Sequence, residues 1–148
     1  AVDNKDINSA YGFINHIYFK LYFQKKMQFS KEKNLDTSIR SVENGRILVG
    51  EEYISHSLVL NADEIIGRWM GSNADQTSFD QIKYILEKEP DVIIFGTGDK
   101  SVIPQRNLVF DLAKKNIGIE VMTSTAAAKT FNILISEGRN PVAIIIID

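Results

Sequence analysis

The chain predicts a mixed α/β fold in one domain, and three observations predict it. From Asp91 to Asp148, apolar runs alternate with amphipathic helical stretches, the pattern of a parallel βαβαβ half. Upstream, Asn44-Gly45 sits between two short runs of strand character, the strongest short-range sign of an antiparallel hairpin. The 148 residues, 44% of them hydrophobic, suit one domain with one sizeable core. Together these predict antiparallel hairpin strands first, then a βαβαβ unit, in a mixed sheet with helices packed on it.

Residues 1–26 differ in character from the rest. They hold Tyr11, Phe13, Tyr18, Phe19, Tyr22 and Phe23, and Ile14, Ile17, Tyr18 and Leu21 form a helical stripe ahead of Lys25 and Lys26. A secretory signal is excluded, because Asn15, His16 and Lys20 interrupt the apolar run and no small-residue cleavage site follows. What stays open is an interfacial or partner-binding helix, an extension outside the core with Met27 as the functional start, or a core helix. The expected division is an extension over 1–26 and a single α/β domain over 27–148.

After a polar lead-in from Ser30 to Asp36, strands are expected at Ser38–Val42 and Arg46–Val49, on either side of the Asn-Gly turn. Gly50-Glu51 offers a second turn into one half-buried strand, Tyr53–Leu60. His56 lies in that strand with no Asp, Glu or second His at a useful spacing, so it reads as structural. Ile65, Ile66 and Trp69 supply apolar anchors before a polar loop, Gly71–Gln76.

Ser78 with Gln81 forms a capping box, so a helix should start there, bury Phe79, Ile82, Ile85 and Leu86, and end at Pro90. Val92–Phe95 is apolar throughout, as in a strand covered on both faces. Pro104 fits the first turn of the next helix, with Leu108, Val109, Leu112 and Ala113 as its stripe and Asn116 as its stop. Ile117–Met122 is the next strand. Thr123, Ser124 or Thr125 caps the helix after it, whose buried face is Ala127, Phe131, Leu134 and Ile135. Lys129, Asn132 and Ser136 share its other side and Gly138 closes it. Val142–Ile147 is apolar at every position and so should be central in the sheet.

Four blocks carry a family resemblance: GRILVGEEYISHSLVL, then Trp69, then DVIIFGTG, then IEVMTSTAAAKTFNILISEGR. In order and spacing they resemble the small family that includes mitochondrial complex I assembly factor 3 and an adipogenesis-associated protein. The resemblance spans about Met27 to Ile147 and implies a three-layered fold around a central mixed sheet. For mitochondrial members it implies help in assembling a membrane enzyme through protein contacts; for bacterial members it implies no established reaction. Many relatives have Cys and Arg where this chain has Ala128 and Lys129, so no thiol or guanidinium role carries over to those positions.

Composition and motifs narrow the chemistry. A net charge of -2 predicts no general attraction to nucleic acid or anionic membrane. The lack of cysteine removes disulfides and thiol chemistry and suits a reducing cytosol. No HExxH, CxxC, Asp-rich calcium loop or G-x-S-x-G elbow is present, so neither a metal, a cofactor nor a catalytic residue is assigned. Gly96-Thr97-Gly98 lacks the third glycine of a dinucleotide fingerprint. One constellation remains. In a right-handed parallel unit the loops after Phe95 and Met122 leave the same sheet edge, where open α/β sheets bind ligands. Gly96, Thr97, Gly98, Lys100, Thr123, Ser124, Thr125 and Lys129 would meet there and could hold a small anion at a helix start. The competing explanation is that these hydroxyls cap a helix and satisfy backbone.

Two functions are therefore expected from the sequence. One is a non-enzymatic assembly or protein-interaction factor, cytoplasmic, with an unidentified protein partner and peripheral membrane contact through residues 1–26. The other is a binding protein or enzyme for a small anionic ligand at the loop edge.

Overall fold

The computed structural model describes Ile17 and residues 36–148. The expectations for residues 1–26, Ile17 aside, lie outside the described residues. Asp36 lies just ahead of the first strand; its carboxylate accepts the Ser38 N–H at 3.0 Å and also binds the Ser38 hydroxyl and Arg40. The Ser38 contacts hold the Asp36 carboxyl below its ordinary value. Strands β1 (Ile39–Glu43), β2 (Arg46–Val49) and β3 (Glu52–Ile54) then form an antiparallel sheet in sequence order. Asn44 and Gly45 have φ of 56° and 69°, as a tight hairpin requires, and Glu43 faces Arg46 across it. The next turn needs Gly50, whose φ is 57° and where a Cβ would lie 2.5 Å from Asp36 O.

Tyr53–Leu60 is not one strand. β3 ends at Ile54, and β4 (Leu58–Leu60) starts a second sheet. The break is pinned at Ser57, whose hydroxyl accepts the Ile147 N–H at 3.1 Å and whose carbonyl accepts the Trp69 N–H at 3.0 Å. The alternation of apolar residues conceals the break, because Ile54, Leu58 and Leu60 all enter the same core. His56 keeps its Nδ1 2.9 Å from Ser57 O, at this corner.

The second sheet contains β4, β5 (Ile65–Arg68), β6 (Val92–Gly96), β7 (Gly118–Met122) and β8 (Pro141–Ile145), in the order β5-β4-β8-β6-β7. β8 pairs in parallel with β6 and antiparallel with β4, and β6 pairs in parallel with β7. Hence the sheet is mixed. β8 is central and buried at all five positions, as its unbroken apolar run predicts.

Each face of this sheet has its own apolar core. On one side Leu58, Leu60, Val92, Ile94, Ala143 and Ile145 pack against helix α3 (Ser124–Ser136) and the three-stranded sheet. On the other, Val59, Ile93, Phe95, Val142 and Ile144 meet Ile82, Ile85, Leu108 and Leu112 of the remaining helices. The three-layered architecture implied by the resemblance is the one observed. Trp69 is buried on the second side, edge-on to Phe95 at 5.9 Å, with its indole N–H donated to Ser72 O at 3.0 Å.

Two helices differ from expectation. The segment after Ser78 makes one α-helical turn, α1 (Phe79–Ile82), then tightens to a 3-10 helix, Lys83–Lys88. Gln81 Oε1 accepts the Ser78 N–H at 2.9 Å, and the segment closes at Glu89, left-handed at φ 52°. Pro104 precedes α2 (Arg106–Ala113) instead of entering it, since Gln105 is the N-cap. Only Leu108 and Leu112 of the expected α2 stripe are buried, because a two-turn helix offers the sheet one narrow line of contact; Val109 and Ala113 face out.

Asn132 also departs from the outward role its position suggests. Its side-chain oxygen accepts the Ile39 N–H at 2.9 Å and its amide donates to Ile39 O at 2.8 Å. One amide thus completes the backbone of β1 and locks the small sheet to α3. Asn132→Leu should cost about 1–3 kcal/mol, because two part-buried backbone groups lose their partners. Chemical denaturation checks this: an unchanged midpoint would show that water replaces the amide freely.

Candidate functional site

The site grows from Gly96, the last residue of β6. A Cβ there would lie 2.9 Å from Ser124 Cα and 3.0 Å from the Ala127 methyl, so only glycine lets α3 approach the strand end. Thr97 follows, its N–H bonded to Met122 O at 2.8 Å. Its hydroxyl is buried within hydrogen-bond reach of Lys100 O and, at 3.1 Å, of Met122 O. Gly98 has φ of 91°, and a Cβ there would sit 2.7 Å from the Asp148 carboxylate.

Ser124 is the centre of the arrangement and is 2% exposed. Its hydroxyl accepts the Gly98 N–H at 2.8 Å and donates to Ile146 O. Its own N–H goes to Gly98 O at 2.9 Å, and Ile146 N–H goes to Gly96 O at 3.0 Å. One serine therefore ties together the loops that follow β6, β7 and β8. The cap of α3 is Thr123, with extended backbone and a hydroxyl that accepts the Ala126 N–H at 3.3 Å.

Of the eight sequence-predicted residues, Gly96, Thr97, Gly98, Thr123 and Ser124 share this edge through the bonds described. Lys100 joins them by its carbonyl alone. Thr125, Lys129 and the Lys100 side chain are exposed, and among the described residues neither lysine forms an ion pair.

Three participants escaped the sequence reading. Asn73 donates its side-chain amide to Thr97 O at 3.0 Å. Ile146 supplies the carbonyl for Ser124. Asp148 Oδ2 accepts the Asp99 N–H at 2.9 Å. The Asp148 carboxylate was accessible to the same topological argument, since β8 runs parallel to β6 and must end at the same edge.

The consequence is chemical. The Thr97 and Ser124 hydroxyls and the Gly98 and Asp99 N–H groups are engaged by the protein's own groups, one of which, Asp148, is itself an anion, while the Lys100 and Lys129 ammonium groups stay exposed. Among the described residues no three His, Cys, Asp or Glu gather as metal ligands.

The comparisons fit this architecture. The family model described as "Protein of unknown function (DUF498/DUF598)" matches residues 39–146. The chain belongs to the DUF498/DUF598 family. A relative, the "13 kDa major membrane protein" of Francisella tularensis, is 31% identical over 104 residues, covering 69% of this chain and 84% of the relative. The human "NADH dehydrogenase [ubiquinone] 1 alpha subcomplex assembly factor 3" is 27% identical over 115 residues. That match covers 69% of this chain but only 62% of the human protein. Among solved structures, a Xanthomonas campestris protein is 30% identical with a TM-score of 0.66, over 73% of this chain and 82% of that one. The resemblance drawn from the four sequence blocks thus holds at the level of family and fold. No helix among the described residues is long and apolar enough to cross a membrane.

Proposed function

We propose that this DUF498 protein is a non-enzymatic protein-interaction factor that assists assembly of a membrane respiratory complex. The observation that carries the reading is the inward use of the loop edge. Where an open α/β sheet ordinarily presents its ligand groups, Thr97 and Ser124 bond to backbone, and Asp148 takes the Asp99 N–H. No base is paired with a nucleophile there. Large side chains are left outside instead: Met70, Ile103 and Phe110 are 81%, 86% and 64% exposed. Met and aromatic residues are enriched where proteins bind one another. The human relative's name supplies the kind of work, and the Francisella relative's name supports contact with a membrane.

On this reading residues 1–26, with their aromatic stripe and lysines, make the peripheral membrane contact, and the domain that follows makes the protein contact. Loss of the gene in the native cell should leave respiratory subassemblies on native gels, restored by the full chain. A chain lacking residues 1–26 should restore less and should no longer sediment with anionic vesicles. Normal levels of every respiratory complex after gene loss would refute the assembly role.

A further inference from the structure

β5 is one edge of the five-stranded sheet, and no strand pairs with its outer side among the described residues. Trp69 donates its N–H to Ser57 O, and antiparallel pairs alternate between bonded and non-bonded. Arg68, opposite Leu58, is therefore in a non-bonded pair and carries its N–H and C=O outward. Beside it, a Cβ on Gly67 would meet nothing within 4 Å, and the Gly67 φ is not in the positive range. Neither sterics nor backbone conformation requires glycine at that position. Glycine inside a strand marks a bulge or a place where another backbone approaches closely, and the β4–β5 register does shift beside Gly67, between Val59 and Leu60.

A groove of about 390 Å³ runs along this edge, lined by Ile66, Gly67, Arg68, Met70, Gln81 and Tyr84. Its walls are half open: Tyr84 is 45% exposed and Met70 is 81% exposed. Tyr84 presents a neutral phenol donor at physiological pH, as any tyrosine does, and burial pushes its titration further up. Arg68 is the one charged side chain in the lining. Two copies meeting edge to edge about Gly67 and Arg68 would bring their guanidinium groups together, which disfavours a symmetric dimer here. An acidic residue on a different chain suits the same charge.

We infer that the β5 edge is a strand-addition site for an extended peptide of a partner protein. The peptide pairs with the outward backbone groups of Arg68, seats an apolar side chain over Gly67 between Met70 and Tyr84, and places a carboxylate on Arg68. This rests on the protein-interaction reading and names the surface and the chemistry of its partner.

The test uses the full chain, isotope-labelled, and a capped heptapeptide of alternating Thr and Val with Phe at its centre and Glu beside it. Amide shifts should concentrate at Gly67 to Met70. Gly67→Leu, whose side chain enters open space, should weaken binding at least tenfold, as should Met70→Asp outside the strand. N-methylation of the peptide's pairing amides should abolish binding. The site is overturned by an absence of shifts at β5, by equal binding of the N-methylated peptide, or by equal binding to both variants. Shifts at β5 that grow with protein concentration alone would assign the edge to a second copy, and so overturn it too. Gly67→Leu that restores respiratory assembly after gene loss overturns the site and leaves the interaction reading standing. Peptide binding without any assembly defect supports the site and removes that reading.

Discussion

Phe131→Ala is expected to destabilise the protein by about 3–5 kcal/mol, the cost of deleting a fully buried aromatic and leaving a cavity. Phe131 is 0% exposed, on the face of α3 that meets both the central sheet and the three-stranded sheet. Urea denaturation with two spectroscopic probes measures it. A shift in midpoint worth less than about 1 kcal/mol would mean that α3 presents another face, because such small values belong to partly exposed sites.

The second large effect should come from Ser124→Ala, at about 2–4 kcal/mol. The substitution removes little volume, so the cost is electrostatic: Gly98 N–H and Ile146 O both lose their partner, at roughly 1–3 kcal/mol for each buried group left unmade. Thr123→Ala, which removes only the helix cap, should cost about 1 kcal/mol. The order of the two is the informative result. If Thr123→Ala proves the more damaging, Ser124 is not the tie between the three loops.

β5, which ends in Gly67 and Arg68, was read only as apolar anchors. β6 and β8 were legible in the sequence because they are apolar in unbroken runs, and the hairpin because Asn44-Gly45 admits few other conformations. The break between β3 and β4 was not, since Ile54 and Leu58 keep the alternation while changing sheets. The cap of α3 could not be chosen among Thr123, Ser124 and Thr125. All three can accept an N–H, and only the approach of Gly98 and Ile146 decides that Ser124 turns inward. Asn132 was placed outward by helical spacing, although β1, 93 residues earlier, is what it binds. At the loop edge the glycines and hydroxyls were found and their neighbours were not. Asn73 and Asp148 arrive from distant parts of the chain: Asn73 donates to Thr97 O, and Asp148 accepts the Asp99 N–H.

Titration of the labelled full chain with inorganic phosphate tests the central claim most directly, that this edge serves the protein's own structure. The account predicts no localised response: the amides of Gly96, Gly98, Ser124 and Thr125 should move no more than those of exposed surface residues. Saturable shifts confined to those four amides, and abolished in Thr97→Val with Ser124→Ala, would contradict it and establish an anion site at the loop edge.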